Sequence, residues 1–426
     1  MTVLEDRIVQ FPNRYKMVLV EGTTDTFDLV PVPGEVTAEG VWVSKQNVID
    51  TANAEAHKVV FEDYKTARIN LFEVEPLSVA RDMSATATIA QKAIIAGGIT
   101  NATLRNTVDI YDEYLIRTTG TVLQRARALF AGVANNGRAL FAGGSNNDTT
   151  KYADVDVFDE NLIKTSAPAL SAGRSRLGGA WVGKYILFAG GMASSASSVV
   201  DAYDDELIRT TAANLSWYGR TCGASIGTSA ILASEEKTVD AYDSNLIKTS
   251  LAPLPVNMNG CRGNNSSQYA LFCGGGTTAV NNVVAYDANL IQVSAAPMSI
   301  TRASETHGVG CTQDVFLISG GNSKIVDCYD DNLIKVDAPE LPLAVRNNVV
   351  ATTGTYFLST SNYANANVYV HDLNGVANIN IPPYYAYKFQ EHTQEQFALD
   401  GITYSCAGAA NGYIKPGNKT LIGLNI

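Results

Sequence analysis

The residues that invite a chemical reading are the aspartates closing an aromatic–Asp step. They occur as Tyr111-Asp112, Phe158-Asp159, Tyr203-Asp204, Tyr242-Asp243, Tyr286-Asp287 and Tyr329-Asp330, with a worn seventh copy at His371-Asp372. Carboxylates repeated evenly along a chain are raw material for a metal cage or for acid–base catalysis. Every copy but the last, however, runs on into Leu-Ile at its third and fourth following positions, as in Asp159-Glu160-Asn161-Leu162-Ile163. An Asp at a strand end accepts backbone N–H bonds and starts a turn. The repeat therefore predicts a structural turn in each unit. The six cysteines (Cys222, Cys261, Cys273, Cys311, Cys328, Cys406) form no Cys-x-x-Cys pair and lie mostly in apolar runs such as Leu271-Phe272-Cys273. Buried free thiols are the expectation. The four histidines show no metal-ligand spacing, so no metal and no cofactor is expected. For catalysis the sequence offers only Asp82, Glu305 and His307, on segments read as innermost strands that face a central channel.

A binding chemistry is suggested elsewhere. Ser216-Trp217-Tyr218-Gly219-Arg220 stands where another unit has only small residues, Ser171-Ala172-Gly173. An aromatic pair beside an arginine suits stacking on a sugar ring with side-chain hydrogen bonds. With Tyr152, which the strand order places on the same face, the candidate ligand-binding set is Tyr152, Trp217, Tyr218 and Arg220. The competing reading packs Trp217 into the gap between neighbouring sheets.

These residues are positioned by a repeat. Successive aromatic–Asp aspartates lie 39 to 47 residues apart, and each unit holds four short apolar runs separated by polar turns. In one unit they centre on Leu177 to Val182, Tyr185 to Ala189, Val199 to Tyr203 and Glu206 to Thr211. Four strands of about five residues make a small twisted sheet that cannot bury both faces alone, so neighbours must stack radially. The fold class is all-β, a β-propeller. Seven arginines, Arg81, Arg127, Arg174, Arg220, Arg262, Arg302 and Arg346, mark unit starts and predict seven blades, with six as the alternative. They are read as structural ties between blades. The basic residues after each turn (Arg117, Lys164, Arg209, Lys248, Lys335) are read as a solvated rim. An orphan strand at Ile69–Val74 resembles the last strand of a unit and is expected to close the ring.

The repeat resembles the kelch family, in which a double glycine precedes an aromatic residue and an Arg stands near the start of each unit. Here the glycine pairs are Gly97-Gly98, Gly143-Gly144, Gly190-Gly191, Gly274-Gly275 and Gly320-Gly321; Ser234-Glu235 and Ser359-Thr360 replace two others. The family's outer-strand Trp is replaced by Thr or Val. The resemblance covers residues 67–382 and implies a kelch-type propeller. No counterpart of the copper and Tyr-Cys chemistry of kelch-like oxidases is visible.

The ends differ. Residues 1–43 are read as a β-rich attachment segment. Arg7 to Tyr15 and Pro33-Gly34-Glu35-Val36-Thr37-Ala38-Glu39-Gly40 resemble the start of phage and prophage tail proteins, which implies attachment to a tail or baseplate. Residues 44–66 switch to helical spacing (Ile49, Ala52, Ala56, Val59), which fits a short coiled coil in a homotrimer or packing on the propeller base. Residues 383–426 are read as a small Tyr-rich β module.

Composition narrows the partners. The 426 residues carry a formal net charge of −11, which disfavours nucleic acid because counterion release needs clustered Lys and Arg. No apolar run is long enough to span a membrane, and no secretory signal is apparent. The expectation is a phage or prophage-derived tail or baseplate protein. It would be made in the bacterial cytoplasm and built into a virion or tail-like particle with other tail proteins. The propeller would meet a bacterial surface polysaccharide. The alternatives are a glycan-active enzyme on the same particle and an intracellular kelch scaffold.

Overall fold

In a computed structural model of the chain, the described residues are 69–373 apart from 147–148, 277, 304–305, 313 and 363, together with two hairpins. The hairpins pair Tyr15–Leu19 with Phe27–Pro31 and Gln396–Leu399 with Ile402–Ser405. The helix expected over 44–66, most of the Tyr-rich C-terminal module and Glu305 lie outside the described residues. Residues 68–375 form one compact unit, separate from a second unit made of the two ends.

That unit is a ring of seven four-stranded antiparallel sheets, as the repeat predicts. The innermost strands are Ala85–Ile89, Ala131–Asn135, Gly178–Val182, Thr221–Ile226, Arg262–Asn265, His307–Thr312 and Val350–Thr352, in blades 1 to 7. They neighbour one another in cyclic order, the seventh touching the first. Close approach there depends on glycine: a Cβ on Gly263 would strike the Gly223 carbonyl of the adjacent blade.

Closure follows the expected route. Blade 7 takes its outer strand from Asn70–Val74, which pairs antiparallel with Val368–Asp372 from the far end of the repeat. The sequence of the seventh unit also offers an apolar run at Ala377–Ile381 as its fourth strand; those residues lie outside the described ones, and the fourth strand of this sheet comes from the N-terminal side.

Each core lies between sheets. Ala180, Leu187, Ala189 and Val200 of blade 3 pack against Ala230, Leu232 and Tyr242 of blade 4. The aromatic of each of the first six steps is buried in such a seam, and in four of them a tyrosine hydroxyl reaches the incoming linker. Tyr111, Tyr203, Tyr242 and Tyr286 donate their hydroxyls to the carbonyls of Glu75, Pro168, Ala213 and Ala252. In the worn copy His371 Nε2 meets the Pro339 carbonyl at 3.0 Å, doing what the tyrosine hydroxyl does elsewhere.

The repeated Asp is a turn residue in blades 1 to 6. Asp159 Oδ1 accepts the N–H groups of Asn161 and Ile163 at 2.9 and 2.8 Å, and five other blades repeat this pair of bonds. Those two bonds hold the intervening leucine left-handed: Leu115, Leu162, Leu207, Leu246, Leu290 and Leu333 all have φ between 60° and 63°. Left-handed backbone costs a non-glycine residue about 1–2 kcal/mol, which two charge-assisted bonds offset. The isoleucine that follows is turned outward and is 57–61 % exposed in blades 2 to 6.

Candidate binding face and central channel

The antiparallel order puts the second-to-third-strand connections and the blade-to-blade linkers on one face, here the upper face. The linkers are anchored by buried ion pairs. Arg81–Asp109 and Arg302–Asp327 close at 2.6 Å, Arg127–Asp156 at 2.8 Å, and Arg174 meets Asp201 in the same way. All eight side chains are fully buried. The backbone of each linker bonds to the preceding blade, as Arg174 N–H does to the Tyr152 carbonyl, while the guanidinium enters the following one. The arginines are therefore ties between blades, as expected.

Three members of the expected series are not. In every linker a Leu or Met N–H bonds back to the previous blade: Leu77, Leu123, Leu170, Leu215, Leu254, Met298 and Leu341. Counting four residues on reaches Arg81, Arg127, Arg174, Gly219, Met258, Arg302 and Val345. Arg220, Arg262 and Arg346 stand one, four and one residues too late to take the buried place. Blade 5 instead packs Met258 with Val284, and blade 7 packs Val345 with Tyr369.

The basic residues of the outer strands are also reassigned. They are second counter-charges for the same buried carboxylates, not a solvated rim: Arg117–Asp109 3.0 Å, Lys164–Asp156 2.8 Å, Arg209–Asp201 2.9 Å, Lys335–Asp327 2.7 Å and, longer, Lys248–Asp240 3.7 Å. The sequence reading missed these carboxylates. Their signal was an Asp three residues before the turn Asp in five of the seven units, as in Asp201-Ala202-Tyr203-Asp204.

The four candidate ligand residues share the upper face but differ in access. Tyr218 is 71 % exposed, whereas Trp217 is 9 % exposed and belongs to the seam between blades 3 and 4. Trp217 Nε1 lies 3.4 Å from Thr221 Oγ1. Its ring faces are used in packing, which is the competing reading of the sequence. Tyr152 is half-buried beneath the Arg125 guanidinium, 4.8 Å from the ring centroid, and Arg125 is itself paired with Asp154 at 2.8 Å. Arg220 donates to Asn259 Oδ1 at 3.2 Å and lines the central channel.

The channel encloses a cavity of about 520 Å³ between the innermost strands. Arg176, Arg220 and Arg262 from blades 3, 4 and 5 line it, with Asn264, Asn265 and Asn348. Neither Asp82 nor His307 is part of the lining. Asp82 is buried, accepts from Asn347 Nδ2 at 3.2 Å, and is raised above the usual carboxylate range by burial. His307 is fully enclosed, its Nε2 3.1 Å from the Cys273 carbonyl. Burial, and then the charges of Arg262 and Arg302, push it down to about 3, so it is neutral at physiological pH.

The expectation of free thiols fails at one place. Cys222 and Cys261 form a disulfide between blades 4 and 5, with Cα atoms 6.2 Å apart, while Cys273, Cys311 and Cys328 are free. The partners come together only once adjacent innermost strands are in register, which their separation of 39 residues conceals. Burial pushes Cys273 and Cys328 up to about 12, so these thiols are inert near neutrality. Among the described residues no group of three His, Cys, Asp or Glu side chains is arranged to hold a metal ion.

Comparison with known proteins adds little beyond the architecture. No known family profile matches the chain, and no curated protein does. Among solved structures, "Structure of YjhT" aligns at 13 % identity with a TM-score of 0.49, over 60 % of this chain and 97 % of that one. The protein is a seven-bladed β-propeller.

Proposed function

We propose that the protein is a structural and binding component of a phage tail or prophage-derived tail-like particle, a kelch-type baseplate or fibre protein whose propeller recognises a polysaccharide on the bacterial surface. The observation that carries this reading is the contrast between the two faces. One face is built from near-identical Asp-x-x-Leu-Ile turns. On the other, the connections range from the few residues between Ser234 and Val239 to a hairpin extended to Thr100 and Thr103. Variable loops on a rigid scaffold are where binding residues are placed. Tyr218 offers an open ring there. The segment 1–66, which resembles tail-protein starts in sequence, supplies attachment and a homotrimer contact.

The test is binding of the full-length protein to isolated bacterial surface polysaccharides, followed by calorimetry and by mass spectrometry of the products. A bound polysaccharide recovered intact supports a receptor binder, and shortened chains support the glycan-active enzyme instead. Tyr218→Ala should weaken binding about tenfold, the worth of one aromatic contact, with the melting temperature unchanged. Unaltered affinity in that variant removes the upper face from the proposal.

A further inference from the structure

We infer that the Cys222–Cys261 disulfide is a redox latch on the ring. Oxidised, it clasps blade 4 and locks its seam with blade 5; reduced by a small dithiol entering the central channel, it lets that part of the wall open. Cys222 is the second residue of the blade 4 innermost strand Thr221–Ile226, and Cys261 stands immediately before the blade 5 innermost strand Arg262–Asn265. With a sequence separation of 39, the bond closes a loop that holds the other three strands of blade 4, Ser229–Ser234, Val239–Asp243 and Lys248–Ser250. The chain's entry into blade 4 is thereby joined covalently to its exit, which removes freedom chiefly from the opened states of that blade.

The clasp stands where the ring lacks its other fastening. A buried Arg–Asp pair ties the linkers entering blades 1, 2, 3 and 6. Gly219 and Met258 take the arginine's place in the linkers entering blades 4 and 5, and Val345 in the linker entering blade 7. Blade 4 is thus the one blade with no such pair in either the linker that enters it or the linker that leaves it. Its seam with blade 5 keeps an apolar core, with Met258 and Cys261 among Ala224, Ile231 and Ala241, and Asn259 Nδ2 donates to Glu235 at 2.8 Å. Contacts of this kind open locally far more readily than a closed covalent loop. Both cysteines line the channel cavity of about 520 Å³; Cys222 is half-buried and Cys261 is 3 % exposed. Attack therefore falls on Cys222. A thiolate of the reductant bonds to Cys222 Sγ, the bond to Cys261 breaks, and the electron pair leaves on Cys261 Sγ, which takes up a proton. The second thiol of the reductant then displaces Cys222 Sγ. Two electrons and two protons pass to the protein, and the dithiol becomes a cyclic disulfide.

The inference does not depend on what the propeller binds, and its failure leaves the receptor reading standing. Full-length protein is equilibrated with oxidised glutathione in one sample and with dithiothreitol in another. Peptide mapping without reduction should recover Cys222 joined to Cys261 in the first sample and both as free thiols in the second. Amide hydrogen exchange at pH 7, read by mass spectrometry, then locates the effect. Reduction should speed exchange about tenfold in Thr221–Ile226 and in the segment around Cys261, the size of a modest local opening. The blade 2 strand Ala131–Asn135, whose linker keeps its buried ion pair, should be unchanged. The double variant Cys222→Ala with Cys261→Ala should exchange like the reduced protein in either buffer. Should that variant not fold, the two redox states of the unmutated protein still decide. Absence of the Cys222–Cys261 linkage from the oxidised sample overturns the proposal. So does equal exchange in the two states, or acceleration spread evenly over all seven blades.

Discussion

Removing one charge of the Arg174–Asp201 tie tests the energetic account of the linkers. Both side chains are fully buried. Asp201→Ala leaves Arg174 among the carbonyls of Gly190, Val199 and Phe188 without its counter-charge, which should cost about 3–5 kcal/mol. Arg174→Ala is milder, because Asp201 keeps Arg209 at 2.9 Å and the Ser171 N–H and hydroxyl. The loss is then one charged hydrogen-bonding partner, about 1.5–3 kcal/mol. The double variant Arg174→Met with Asp201→Val copies what blade 5 already does with Met258 and Val284. Removing both charges for apolar groups is close to neutral, so the double change should cost about 1 kcal/mol, far below the sum of the two single changes. Urea unfolding at pH 7, followed by the fluorescence of Trp181 and Trp217 in blades 3 and 4, measures all three. Additive losses, or Arg174→Ala costing more than Asp201→Ala, would refute the reasoning.

Three further outcomes are expected. His307 and His371 are held neutral by burial, at about 3 and about 4, while in the unfolded chain they take up protons below about pH 6.5. Stability should therefore fall as pH drops from 6.5 towards 4, by up to about 2.7 kcal/mol per pH unit for the pair, and urea midpoints across that range check it. Asp243→Ala removes the acceptor of the Asn245 and Ile247 N–H groups and should cost about 1–2 kcal/mol by the same unfolding assay. Trp217→Ala empties a seam position and should cost about 3–5 kcal/mol, whereas Tyr218→Ala should cost almost nothing; calorimetric melting separates them.

The architecture was legible because its signals are local and repeated. An aromatic, an Asp and a Leu-Ile pair recur within six residues, and the hydrogen bonds they encode stay within the same turn. The orphan strand at Asn70–Val74 was legible because it has the pattern of a unit's last strand but stands alone before the first Arg. Features that depend on contacts between blades were hidden. The linker before blade 4 places Gly219 where the buried arginine stands elsewhere, so Arg220 mimicked a repeat member from one residue away. Cys222 and Cys261 look like separate thiols until adjacent strands align. Arg176 never entered the reading, because only closure of the ring gathers it with Arg220 and Arg262 at one mouth. Trp217 was recognised as unusual, but whether its ring faces water or the next sheet depends on packing that spacing does not encode.

The closing blade also fixes how the ring responds to load. Asn70 pairs with Asp372, so residues entering and leaving the ring sit at the same end of one antiparallel ladder of five pairs. A pull applied through both chain ends bears on Asn70–Asp372 first and then on each pair in turn, like a zipper, and never loads the five together in shear. A ring suspended by its two ends opens at blade 7 under small force while the other six sheets remain folded. A ring held by one end alone keeps that ladder out of the path of tension. In single-molecule pulling, handles on residues 69 and 373 should give an early, low-force opening that handles placed on blades 2 and 5 do not.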